Sequence, residues 1–154
     1  MVKRALVVAA AFAAGLVAYP TVTAQQSARR MISPERVPHM GLPYSPGILA
    51  GNTLYLAGQL GRDPKTNQII PGGIEAETRQ ALVNIREVLR AAGMDYGDVA
   101  STTAFIVDFK DFDGFNKVYR EFFPKEPPAR ATVQVAALNQ GGRVELQMIA
   151  VKQK

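Results

Sequence analysis

Apolar residues recur along this chain with two periods, and the change from one to the other marks out its elements. Between positions 47 and 60 the pattern is short and strand-like: Gly47-Ile48-Leu49-Ala50 and Thr53-Leu54-Tyr55-Leu56-Ala57-Gly58-Gln59-Leu60 flank Gly51-Asn52, a hairpin turn signal, and so predict an antiparallel hairpin. From Ile74 to Ala92 the spacing becomes three and four. Ala81, Leu82, Ile85, Val88, Leu89 and Ala92 define one face, acids lie early and bases late, and Gly93 follows, which predicts an amphipathic helix. Val99 to Asp108 is a strand by its Thr, Val, Ile and Phe content. Asp111 is a candidate N-cap for a second helix through Phe122, whose apolar stripe Phe112, Phe115, Val118, Tyr119 and Phe122 reads as core. Pro124, Pro127 and Pro128 end it.

Two further β-rich segments, Pro128 to Val135 and Val144 to Val151, are separated by Leu138-Asn139-Gln140-Gly141-Gly142 and read as adjacent strands. The order strand, strand, helix, strand, helix, strand, strand implies an α+β sandwich of two layers, a mixed sheet with both helices on one face. Val133, Val135, Met148 and Ala150, with Leu54 and Leu56, offer more apolar strand surface than two helices can cover, which points to self-association.

The N-terminus has another pattern. Lys3 and Arg4 precede the apolar run Ala5 to Val17 and then Val22-Thr23-Ala24, the arrangement of a secretory signal peptide cleaved after Ala24; a membrane anchor is the alternative, although a span needs about 20 apolar residues. The expectation is a signal at 1–24, a polar segment at 25–36 that is a tether or an edge, and one domain at 37–154, in a periplasmic or secreted protein with no membrane attachment after cleavage. The formal charge of +5 includes Lys3 and Arg4, so the mature chain carries +3, with no basic run interleaved with aromatics that would suit nucleic acid. The chain has no cysteine, which removes disulfides and thioether lipids.

Two charged positions carry the candidate chemistry. Arg130 follows a proline-fixed corner, and Glu145 lies inside a strand between Val144 and Leu146, where a carboxylate is uncommon and costly to bury alone. Either Glu145 is solvated or ion-paired with Arg130 or Arg143, or Arg130 holds an anionic ligand while Glu145 works on a water beside it; spacing leaves both open. Tyr44, in a loop stiffened by Pro43 and Pro46, is a ligand platform or a cap on the core. Ala57-Gly58 suits a close approach of ligand or backbone. His39 has no second ligand at metal spacing, so no metal site is read.

Tyr44 after a proline, Ala57-Gly58-Gln59, Ala91-Ala92-Gly93, Asp98-Val99 with Thr102-Thr103, Asn116 with Tyr119 and Phe122-Phe123, Pro128-Ala129-Arg130 and Val144-Glu145 together resemble the RidA/YjgF family of imine and enamine deaminases over roughly residues 30 to 152. The resemblance implies a chorismate-mutase-like fold, a homotrimer and ligand clefts between subunits. It implies that Arg130 grips a substrate carboxylate, that Glu145 is the acid near the attacking water, and that Tyr44, Gly58, Asn116 and Thr132 lie in the cleft. Ala57 and Thr132 depart from it, standing where the family often has serine and cysteine. The implied reaction is hydrolysis of 2-imino or 2-enamino acids to 2-oxo acids and ammonia. It needs neither metal nor organic cofactor, since an imine is already an electrophile. A non-catalytic carboxylate-binding protein of the cell envelope is the alternative; the ribonuclease activity attached to some relatives is disfavoured by the lack of a basic patch.

Overall fold

The computed structural model describes residues 29–35, 37 and 41–152. Its strands are β1 (Arg30–Ile32), β2 (Gly47–Ala50), β3 (Thr53–Leu56), β4 (Gln59–Leu60), β5 (Val99–Ile106), β6 (Ala129–Gln134) and β7 (Val144–Val151), and its helices are α1 (Gly73–Ala91) and α2 (Phe112–Phe122). One mixed sheet runs β1-β2-β3-β7-β5-β6, with β4 pairing β7 beyond β3. All pairings are antiparallel except β5 with β6, the strands that α2 connects. Within the segment read as tether or edge, Arg30–Ile32 forms an edge strand, since β1 pairs β2. The region read as signal peptide lies outside the described residues.

The helices form where periodicity placed them. α1 ends on Gly93 at φ +73, whose N–H donates to the Arg90 carbonyl at 2.9 Å while the Met94 N–H reaches Leu89 at 3.0 Å, so the left-handed residue closes the helix and caps its last carbonyls. Asp111 precedes α2 but its side chain caps nothing; its carboxylate instead takes the Arg143 guanidinium at 2.8 and 3.1 Å. A single core lies between sheet and helices, where Leu54, Leu146 and Met148 meet Leu82, Ile85 and Leu89 of α1 and Phe115 and Val118 of α2. Each such side chain contributes about 1.5–3 kcal/mol by leaving water.

Two expectations change. β6 and β7 are not neighbours: β5 lies between them, parallel to β6 and antiparallel to β7. A parallel partner needs a crossover, which α2 supplies, so β6 docks on the outer edge of β5 while β7 fills the centre. The surplus apolar face is also the other one. Leu54, Leu56, Met148 and Ala150 are buried under the helices, whereas Tyr55, Val133, Ile149 and Val151 are exposed on the opposite face. Ile48, Tyr55 and Ile149 stand in register across three strands there.

Candidate active site

β6 begins after the Pro127-Pro128 corner and sets Arg130 beside Thr102 of β5. Thr102 is buried and accepts a hydrogen bond at 3.0 Å from the Tyr119 hydroxyl of α2, so this is the helix-covered face. Arg130 lies over the rings of Tyr119 at 4.6 Å and Phe115 at 4.9 Å, and its Nη2 donates to Asn116 Oδ1 at 2.7 Å. Stacking and one bond hold the guanidinium flat and leave the remaining donors without a partner among the described residues, in a groove of about 480 Å³ that Phe112, Phe123 and Pro128 also line. Burial pushes the Arg130 pKa down, with the Tyr119 hydroxyl opposing. Thr132 follows on the same face of β6, beside Ala104.

Glu145 belongs to a second half-site. Along β7, Val144, Leu146, Met148 and Ala150 point into the core, so Glu145 points to the opposite face, in register with Phe105 of β5 and Leu60 of β4. The break between β3 and β4 at Ala57-Gly58 lays the backbone over it: a Cβ on Gly58 would lie 1.9 Å from Glu145 Oε1. The carboxylate occupies the space a side chain would fill. Burial pushes Glu145 above its ordinary pKa, and the charge of Arg62 opposes that rise. Beside it is a cavity of about 50 Å³ lined by Tyr44, Gly58, Leu60, Arg62, Asp63 and Asn84.

The predicted site residues therefore fall into two groups. Arg130, Asn116 and Thr132 share one face and edge of the sheet; Glu145, Gly58 and Tyr44 gather at the other. Glu145 pairs with neither Arg130 nor Arg143, and its backbone stands roughly 14 Å from that of Arg130, two strands across and three residues along. Sequence reading missed the aromatic seat of Arg130, because Phe112, Phe115 and Tyr119 also satisfy the core pattern. It missed Arg62, which stands among the turn residues Asp63, Pro64 and Asn67 between β4 and α1. His39 lies outside the described residues, and among those described no cluster of acids and histidine could hold a metal ion.

The profile of the family described as Endoribonuclease L-PSP matches residues 35–152. The 2-iminobutanoate/2-iminopropanoate deaminase of Capra hircus is 48% identical over 124 residues, 80% of this chain and 90% of that protein. The chain belongs to the RidA/YjgF family. The crystal structure of the YjgF gene product of E. coli superposes with a TM-score of 0.76 at 35% identity, covering 80% of this chain and 99% of that one. That of a putative endoribonuclease of Thermotoga maritima gives 0.79 at 33%, covering 82% and 100%. These RidA/YjgF relatives overturn the periplasmic or secreted expectation: they include human and other mammalian proteins, an archaeal one from Sulfurisphaera tokodaii and a chloroplastic deaminase of Arabidopsis thaliana. Mammals have no periplasm, and an organelle is the single destination those names state. The charged-apolar-small pattern of 1–24 is a compositional signal, and composition alone does not set a protein's address.

Proposed function

We propose that this chain hydrolyses reactive 2-imino and 2-enamino acids to 2-oxo acids and ammonia, as a homotrimer whose clefts each combine the Arg130 half-site of one copy with the Glu145 half-site of the next. The observation that carries this reading is that Arg130 and Glu145, each half-buried and prepared for chemistry, lie on opposite faces of one sheet. One ligand meets both only if two copies supply them. The exposed apolar row of the open face gives those copies a surface to share, and relatives 42–48% identical named as 2-iminobutanoate/2-iminopropanoate deaminases support the reaction class.

In this mechanism the guanidinium takes the substrate carboxylate with its planar fork, already oriented by Asn116 and the rings, and so fixes the imine carbon. Glu145, a stronger base for being desolvated, removes a proton from a water as its oxygen bonds to that carbon. That proton passes to the imine nitrogen to give a carbinolamine, and Glu145 then carries the hydroxyl proton to the amine as the carbon–nitrogen bond breaks, so that ammonia leaves and the hydroxyl oxygen becomes the carbonyl of the 2-oxo acid. Tyr44, Gly58 and Thr132 shape the walls.

The test is an ammonia-release assay on imines generated in situ, run on Arg130→Ala, on Glu145→Gln and on the two unfolded and refolded together. Each alone should be nearly inactive. Random mixing places an intact arginine opposite an intact glutamate in about one cleft in four, so about a quarter of wild-type activity should return. No recovery in mixed assemblies would sink the shared cleft, and carboxylate binding without ammonia release by the wild type would leave a binding protein.

A further inference from the structure

Among the described residues Arg62 opposes the rise in the Glu145 pKa, yet the two form no ion pair. β4 sets Leu60 opposite Glu145, and the chain then turns, the Arg62 N–H donating to the Leu60 carbonyl at 2.8 Å. The backbone is pinned there. Asn84 of α1, itself buried, donates from Nδ2 to the carbonyls of Arg62 at 2.9 Å and Leu60 at 3.2 Å, and Arg62 bridges Ile69 across the following turn. From this fixed base the side chain lines the cavity whose wall includes Gly58, the residue lying against the Glu145 carboxylate. Its Nε is buried without a hydrogen-bond partner, and among the described residues it forms no ion pair.

A carboxylate in a desolvated pocket tends to take up a proton, and a protonated glutamate cannot accept one from water. A guanidinium in direct contact would keep it ionised but would occupy its oxygens and weaken it as a base. A guanidinium across a gap favours the ionised form through its field and leaves both oxygens to water. We propose that Arg62 is a positioning residue for the reaction: from the cavity wall beside Gly58 it keeps the Glu145 carboxylate in its proton-accepting form without pairing with it. This rests on Glu145 being the base. Among the described residues of one copy, the other groups around Glu145 do not take that role, and in the shared cleft the Arg130 guanidinium of the next copy is engaged by the substrate carboxylate. β5 presents Phe105, β4 presents Leu60, and β7 presents Gln147. On the loop after β4, Asp63 is negative, its carboxylate accepting from the N–H groups of Lys65 at 2.7 Å and Thr66 at 3.0 Å. The loop before β2 adds the phenol of Tyr44.

The test is the pH profile of kcat/KM for the full chain and for Arg62→Met, Arg62→Gln and Arg62→Lys, each plotted as a ratio to wild type to remove the substrate's own pH dependence. Both neutral variants should lose about tenfold at about pH 6 and stay within about twofold at about pH 9, because the acidic limb moves up. The lysine variant should follow wild type, and affinity for a non-reacting carboxylate, held by Arg130, should not change. A flat ratio across pH, whether near one or uniformly low, overturns the role of Arg62, as does a lysine variant that behaves like methionine. Glu145→Gln separates the base from its neighbour: if that variant keeps full turnover Glu145 is not the base, whereas an inactive Glu145→Gln beside a flat Arg62→Met ratio removes Arg62 alone.

Discussion

Gly58 lacks a side chain because the Glu145 carboxylate occupies the space one would need. In Gly58→Ala the added methyl would begin 1.9 Å from Oε1, so the carboxylate must move, and with Glu145 as the proposed base a displacement of about 1 Å should cost on the order of 10²-fold in rate. Gly58 is partly exposed at a strand break outside the main core, so the melting temperature should change little; ammonia release and a thermal melt on this variant check both halves of the statement. A fall in stability with turnover intact would make the glycine a packing residue. Glu145 was legible because a carboxylate inside an apolar strand needs an explanation, Arg130 because it follows a proline-fixed corner, and Gly58 because a small residue at a strand end marks close approach. Their separation was not. Alternation along a strand tells which neighbours share a face, but it does not tell which face the helices will cover.

Between elements, the clearest tie outside the core is Glu77. Its carboxylate leaves α1 and accepts the backbone N–H of Arg143 at 2.7 Å, fastening the entrance of β7 to the helix, and Gly61 lets the β4 turn pack within contact of its backbone. Glu77→Ala would leave that N–H without its partner and should cost about 1–3 kcal/mol in denaturant unfolding. Burial pushes the Glu77 pKa above its ordinary 4.5, outweighing the bond from Arg143. The folded chain thus holds this proton more tightly than the unfolded one. Its contribution is fully present below about 4.5 and is lost as pH rises through the folded value, so Glu77→Gln should flatten the stability curve just above 4.5. Helix limits and the first hairpin were readable from period and turn residues. The position of β6 was not, because a short connection between two apolar strands reads as a hairpin, and only the packing of α2 across β5 determines that β6 lies parallel on the far edge.

At the scale of the whole molecule, the open face carries Tyr55, half exposed at 51%, with Val133 at 42% and Ile149 at 36%. Ile149→Asp should leave the monomer folded, since the residue is outside the core, while light scattering reports a single-chain mass and ammonia release falls to background. An assembly unchanged in mass would place the shared surface elsewhere. That surplus apolar surface was legible in the sequence as an amount, and its location became clear only when the sheet acquired two distinguishable sides. A further consequence follows from the place of β7, which comes after every other element described and yet lies in the middle of the sheet. Until it emerges from the ribosome, β1 to β3 on one side and β5 with β6 on the other lack the strand that joins them, and any pairing they form leaves a bare edge that another nascent chain can add to. A message broken shortly before codon 144 would therefore yield a product that is adhesive as well as inactive, and a cell making this protein has more to gain from destroying such fragments than from tolerating them.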